Sequence, residues 1–190
     1  RGDRYQSIMD LDSSREFAGT GLVDPNTLET FLNLKDPVAG VSAARKPLVA
    51  FEGTLTGSKE INSGIWLNAG TSTNLVARKG LSAPGTDGSL FREFKSLSVI
   101  DRRGALFTAT LSPGNDLGCW ATDSEGKLQL LIRNGDAIGD KTIRSFEILT
   151  TVRGSEGQRR AWAGTFTDTS VILHTVFTDG TDGITTVSIP

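Results

Sequence analysis

One phrase occurs twice in this chain, and that repetition restricts the folds open to it. Asn62-Ser63-Gly64-Ile65-Trp66 is followed by Leu75-Val76-Ala77-Arg78-Lys79-Gly80 and by Ala83-Pro84-Gly85. Further on, Gly118-Cys119-Trp120 precedes Leu130-Leu131-Ile132-Arg133-Asn134-Gly135. Each copy reads as a strand carrying a Trp, a polar turn, a strand ending in Arg, and a Gly-containing exit. The offsets agree: Trp66 to Trp120 is 54 positions, Arg78 to Arg133 is 55, and Phe91 to Phe146 is 55. Phe51-Glu52-Gly53-Thr54-Leu55 matches Phe107-Thr108-Ala109-Thr110-Leu111, 56 positions on, and Trp162-Ala163-Gly164-Thr165-Phe166 supplies a third copy. The closing segment from Thr178 to Ile189 echoes Thr122 to Ile132. The expectation is an all-β chain with three repeats of about 55 residues over 45–190. Each would hold about four short antiparallel strands, propeller-like or sandwich-like.

Composition agrees with strands and turns. Gly accounts for 22 of 190 residues, Met for one, and Val, Ile, Thr and Phe recur in short runs. A net charge of −2 sets up no field that would draw nucleic acid or an anionic membrane. No apolar run approaches the roughly 20 residues of a spanning helix. The single cysteine, Cys119, cannot close an intrachain disulfide and reads as a small buried hydrophobe. The chain opens on Arg1 rather than Met, as a processed product or an excised piece would.

Residues 1–44 read as an N-terminal extension. Tyr5 to Leu11 fits one strand, which pairing with a late strand would use to close the array. Asp24-Pro25 has the form of a helix start, with Asp24 as cap, Pro25 at the first helical position, and Leu28, Phe31 and Leu32 on one face. Phe31 to Leu34 also matches Phe94 to Leu97, and on that reading it is the opening strand of the first unit. Loops such as Ala83 to Gly88 hold Pro and several Gly and read as non-strand.

The phrases Leu48-Val49-Ala50-Phe51, Asn62-Ser63-Gly64-Ile65-Trp66 and Leu75 to Gly85 resemble a tandem-repeat family of bacterial surface and secreted proteins, common in planctomycetes and cyanobacteria. That family carries Asn-x-x-Gly-x-x-Ala-Phe units followed by Leu-Val-Ala-Arg-x-Gly-x-x-Ala-Pro-Gly. The resemblance covers residues from about 45 to 190. Asp101 to Phe107 is the nearest match to the first element, and the second unit lacks Ala-Pro-Gly. The resemblance implies export, an extracellular or cell-surface location and a propeller-like β repeat, with no established activity attached.

Candidate site residues are few. Arg45-Lys46, Arg102-Arg103 and Arg159-Arg160 fall 57 positions apart each time, just before an apolar strand. Units related by rotation would bring all three pairs to one end, where they would bind an anionic polymer such as an acidic glycan; the alternative is a solvated turn. Arg78 and Arg133 end equivalent strands, and Asp101 and Asp123 lie in turns, so structural Arg–carboxylate pairs are expected. Trp66, Trp120 and Trp162 read as core before glycan platform. Thr178-Asp179-Gly180-Thr181-Asp182-Gly183 resembles half a calcium loop without the closing Glu and reads as a hairpin turn. His174 is the only histidine, which excludes a His-rich metal site. Arg1-Gly2-Asp3 is the integrin-type tripeptide, a match too short to carry weight.

No catalytic motif, cofactor or metal set emerges. The expected function is therefore a non-enzymatic, exported structural or adhesive module acting through extended protein contacts. Exposed repeat ends favour self-association into a ring or filament. The alternative is a carbohydrate-binding module or glycan hydrolase with a site at the end of the array.

Overall fold

The computed structural model describes residues 7–10, 15–70, 72–149, 152–153, 159–160 and 169–190, with side chains over 18–70, 72–149 and 169–190. In chain order the strands are β1 (Ser7–Asp10), β2 (Arg15–Gly19), β3 (Phe31–Val41), β4 (Pro47–Leu55), β5 (Ser63–Asn68), β6 (Thr73–Arg78), β7 (Leu90–Ile100) and β8 (Gly104–Ser112). They continue with β9 (Leu117–Thr122), β10 (Leu128–Arg133), β11 (Ala137–Ile138), β12 (Lys141–Ile148), β13 (Val152–Arg153), β14 (Arg159–Arg160), β15 (Ser170–Phe177) and β16 (Asp182–Ser188). Three four-stranded antiparallel sheets form, β3-β4-β5-β6, β7-β8-β9-β10 and β11-β12-β15-β16, beside the hairpins β1-β2 and β13-β14. The all-β, three-sheet expectation holds, and among the described residues there is no helix.

Equivalence between units is fixed by register. In the first sheet Gly64 pairs with Arg78, Ile65 with Ala77 and, after a bulge, Trp66 with Leu75. The second repeats this as Gly118–Arg133, Cys119–Ile132 and, after a bulge, Trp120–Leu130. The β1-β2 hairpin has the same form: Ser7–Gly19, Ile8–Ala18, a bulge, then Met9–Glu16. So β1 and β2 are strands of the third and fourth type.

Between sheets the chain makes a hook. Gly80 N donates to Phe91 O at 2.7 Å while Phe91 N returns to Leu81 O at 2.9 Å. The same reciprocal pair joins Gly21 and Leu22 to Phe31 (2.8 and 2.9 Å) and Gly135 and Asp136 to Ile143 (both 2.9 Å). The three glycines have φ of +89°, +77° and +90°, a region that a β-carbon penalises.

Each sheet has two different faces. Phe31, Phe51 and Trp66 form one aromatic cluster: Trp66 stacks on Phe51 at 5.9 Å and meets Phe31 edge-on at 5.1 Å. Phe91, Phe107 and Trp120 repeat it at 5.9 and 5.0 Å. The other face is small and aliphatic. Ile65 and Ala77 cover the second aromatic cluster, and Ala18 covers the first. Cys119 and Ile132 cover Ile143, Phe146, Leu173 and Phe177 of the third sheet. Sheets thus stack aromatic face on aliphatic face, and burying each such large side chain stabilises by about 1.5–3 kcal/mol.

Several expectations need correction. No helix forms at 24–32; Asp24 and Pro25 belong to a hook, and β3 opens at Phe31, the position of Phe91. The division at residue 44 falls between the paired strands β3 and β4. Tyr5 to Leu11 does contain a strand, β1, but it pairs with β2 rather than with a late strand. The third hook is shorter, so Ile143 aligns with Phe91, and Phe146 with Phe94 rather than with Phe91. Phe177 N donates to Thr181 O at 2.8 Å as Leu111 N does to Asp116 O at 2.9 Å and Leu55 N to Asn62 O at 2.6 Å. In the third sheet, therefore, β15 is the second strand and β16 the third. Thr178 to Ile189 corresponds to the turn after β8 and to β9, not to β10. Trp162 to Phe166 lie outside the described residues.

Glycines at equivalent positions give a sharp test. A β-carbon on Gly118 would lie 2.3 Å from the Trp120 ring; on Gly183, whose strand carries Thr185 in the Trp position, it would meet nothing within 4 Å. Gly118→Ala should destabilise by about 1–3 kcal/mol, and Gly183→Ala should stay within about 0.5 kcal/mol of wild type in denaturant titrations.

Candidate functional site

The hook residues anchor the Trp of the following sheet. Trp66 Nε1 donates to Asp24 Oδ1 at 3.0 Å, and Trp120 Nε1 to Pro84 O at 2.9 Å. Asp24 is fully buried. Its Oδ1 also accepts from Asn26 Nδ2 at 2.8 Å, and its Oδ2 from Thr27 N at 3.1 Å and Thr27 Oγ1 at 2.7 Å. Asn26 Nδ2 continues to Thr73 O at 3.1 Å, tying the hook to β6. Sequence reasoning missed this role. The signal was present, because Gly21-Leu22-Val23-Asp24-Pro25 aligns with Gly80-Leu81-Ser82-Ala83-Pro84. Asp24→Ala leaves the buried Trp66 N–H and the part-buried Asn26 and Thr27 donors without this acceptor and should cost on the order of 2–4 kcal/mol by thermal or denaturant unfolding.

The Arg–carboxylate expectation resolves into one link across 49 positions and one local link. Arg78 pairs with Glu29 and donates from Nε to Ile61 O at 2.5 Å. Arg133 lies 3.5 Å from Asp136. Asp123 organises its own turn, accepting from Glu125 N and Lys127 N, both at 2.9 Å, and from Gln129 at 2.7 Å. These bonds, the Gln129 side chain foremost, hold its carboxyl below the usual range. Asp101 Oδ1 accepts from Val41 N at 2.8 Å, while Arg102 N donates to Val41 O at 2.6 Å, joining the turns of adjacent sheets.

Two of the three basic pairs are brought to one end. Arg45 and Arg102 occupy the tight turns after β3 and β7, both left-handed at φ +59° and +68°. Arg103 Nη1 donates to Pro190 O at 2.6 Å. Arg159 and Arg160 form β14, whose side chains lie outside the described ones. A different basic cleft lies between the first two sheets. Lys59, Lys79 and Arg92, with the one acidic residue Glu60, rim a cavity of about 350 Å³ with Leu90 and Phe91 among its walls.

On the third sheet, His174 lies between Asp182, 2.9 Å from Nε2, and Glu147, 3.5 Å from Nδ1. The hydrogen bond to Asp182 is the main cause of a raised His174 pKa. Asp179 caps its turn through Thr181 N at 2.9 Å and pairs with Lys141 at 3.4 Å. Thr178 to Gly183 therefore contains a hairpin turn, and among the described residues no three His, Cys, Asp or Glu converge as a metal would require. Cys119 is buried, which pushes its thiol up to about 12. Because the His174 pKa is raised, its ionic contribution is complete below about 6.5 and disappears as pH rises through the folded value. The melting difference between wild type and His174→Gln should shrink from pH 5 to pH 9, and an NMR titration of the ring should show the upward shift.

The least satisfied region is the outer side of the third sheet. Ile184 stands in the position of Ile65 and Cys119, yet it is 66% exposed where those two are 0%. Among the described residues β16 is an edge strand of its sheet and pairs only with β15. Beside it lies a groove of about 420 Å³ between Leu131, Ile132, the hook at Asp136 to Ile138, and Thr185 to Ser188. No helix among the described residues is long and apolar enough to cross a membrane.

The fold defines a stacked β-repeat array whose third sheet is, among the described residues, incompletely covered on its outer side. The chain belongs to DUF7453, a family of unknown function, whose profile matches residues 5–190. No curated protein and no solved structure matches it.

Proposed function

We propose that the chain is a non-enzymatic structural or adhesive module, exported to the cell surface or extracellular space, that works through extended protein contacts made by its open end. The observation that carries this reading is the outer side of the third sheet, which is incompletely covered among the described residues. Its outward face shows Ile184 where the two preceding sheets bury the equivalent residue under a neighbour. Units of this kind gain stability by stacking on the next one, so such a face favours association with a second copy. The resemblance to surface repeat proteins supports the location.

The alternative is a glycan-binding module. It draws support from the cleft rimmed by Lys59, Lys79 and Arg92 and from the turns carrying Arg45-Lys46 and Arg102-Arg103. That reading predicts a rise in melting temperature with an acidic polysaccharide and a loss of the rise in Lys79→Glu.

Size-exclusion chromatography with light scattering tests the main reading. The 20.2 kDa chain should give concentration-dependent masses of two copies or more, and Ile184→Asp should lower them. A monodisperse monomer at high concentration contradicts self-association.

A further inference from the structure

We propose that the cleft between the first two sheets binds an acidic sugar unit, a pyranose carrying a carboxylate or a sulfate ester, with Lys59, Lys79 and Arg92 holding the anion. This rests on the glycan-binding reading and deepens it, by naming the cleft rather than the basic turns as the site and a sugar acid as the ligand.

Uncompensated charge is the first argument. Lys59, Lys79 and Arg92 converge on one cavity of about 350 Å³. Among the described residues none of them is in an ion pair with a carboxylate. Lys79 Nζ donates to Lys59 O at 2.6 Å, and Arg92 Nη1 to Gly114 O at 3.3 Å and Asn115 Oδ1 at 3.4 Å. Those acceptors are neutral, so they orient the cations and leave their charge in place. In a chain of net charge −2, three such cations at one cleft favour an anionic occupant. A guanidinium fork meets a carboxylate or an ester oxyanion at two points, and the ammonium groups add point charges.

Departure from the repeat is the second. Leu55 N donates to Asn62 O across seven positions, where Leu111 N reaches Asp116 O across five, and the longer turn carries Lys59 and Glu60. At the next joint Asn134 stands in the place of Lys79 and Thr142 in that of Leu90. Of the three cations only Arg92 has a basic counterpart there, Arg144. The stacking of one sheet on the next therefore does not require this basic lining.

The rest of the lining is the third. Leu90, 40% exposed, and Phe91 give an apolar wall suited to the C–H face of a pyranose. Glu60 and Ser112 stand on the same lining as acceptors for sugar hydroxyls. The Glu60 carboxylate accepts from Ser58 Oγ, and that bond, with a backbone N–H, holds its carboxyl below the usual range, so it is charged at neutral pH. A carboxylate set among the cations repels a bare inorganic anion and serves a ligand that also brings hydroxyl donors. A volume of about 350 Å³ lies near the lower end of small-ligand sites, which run from about 300 to 1,000 Å³, and suits a single sugar unit.

The probes are three trisaccharides, one of galacturonic acid, one bearing sulfate esters and a neutral one of glucose, titrated calorimetrically into the whole chain at low ionic strength. The carboxylated or the sulfated trisaccharide should bind one to one, and the one that binds names the acid group; the neutral one should not bind. Lys79→Gln and Arg92→Gln should each weaken that binding at least about fivefold, with circular dichroism and melting unchanged. Arg45→Gln combined with Arg102→Gln should leave it within about twofold. Glu60→Ala should weaken the acidic trisaccharide, which loses an acceptor for its hydroxyls, and strengthen inorganic phosphate. Equal binding of neutral and acidic trisaccharides, unchanged affinity in both cleft variants, or tightening of sugar and phosphate alike by Glu60→Ala overturns the inference. Binding lost only in the Arg45 and Arg102 double variant overturns it too, and moves the glycan-binding reading to the turns. No trisaccharide binding by wild type overturns the inference, and the glycan-binding reading survives that result only if an acidic polysaccharide still raises the melting temperature.

Discussion

The contact on which this architecture depends is an indole seated between two sheets. Trp66 and Trp120 each lie over a glycine two residues earlier on their own strand, stack on a Phe of the neighbouring strand and meet a second Phe edge-on. Each then donates its N–H to the hook arriving from the previous sheet. Edge-on and offset ring pairs add about 0.5–1.5 kcal/mol each beyond area burial. The hydrogen bond removes the one polar liability of an indole placed fully inside. A single side chain thus joins a sheet's own core to the chain segment that positions its neighbour.

Everything else follows from keeping that seat. The face that covers each indole must leave it room, hence Ala18 over Trp66 and Ile65 with Ala77 over Trp120. The hook must turn sharply, hence a glycine at positive φ before each reciprocal bond pair. Where the indole is absent, as at Thr185, the third sheet relies on Ile143, Phe146, Val171, Leu173 and Phe177 packed on the second sheet. On its outward side Ile184 is 66% exposed, and it is there that contact with other chains is proposed.

Much of this was legible because the Trp seat constrains sequence at a fixed spacing. The Gly-x-Trp pairs and the Arg ends of β6 and β10 align on offsets of 54 and 55 because the third and fourth strands and their bulge recur unchanged. The hooks were harder. Asp24-Pro25 satisfies the rules for a helix start, and Asp24 does accept from Asn26 N and Thr27 N as a cap would. The bond from Leu28 N to Asp24 O then closes a turn, and Phe31 is taken by the hook, so no helix propagates. The third unit misled for a related reason: its hook spans fewer residues, so a matching Phe offset hid a shift of three positions, Phe146 aligning with Phe94. The groove beside β16 had no local signal, since its walls come from 131–138 and 185–188; the alignment of Gly21 to Pro25 with Gly80 to Pro84 marked the hook, but the partners of Asp24 on β5 and β6 are visible only in three dimensions.

Amide hydrogen exchange along β16, compared with β9, tests the central account most directly. An array whose third sheet ends at an uncovered third strand predicts alternation: Thr185 and Val187, directed at β15, exchange slowly, while Ile184, Thr186 and Ser188 exchange close to the unprotected rate. In β9, which has a strand on either side, every interior amide should be slow. Uniform protection along β16 in the isolated chain would mean that the edge is already covered, and would contradict both the unit equivalence and the open end drawn from it.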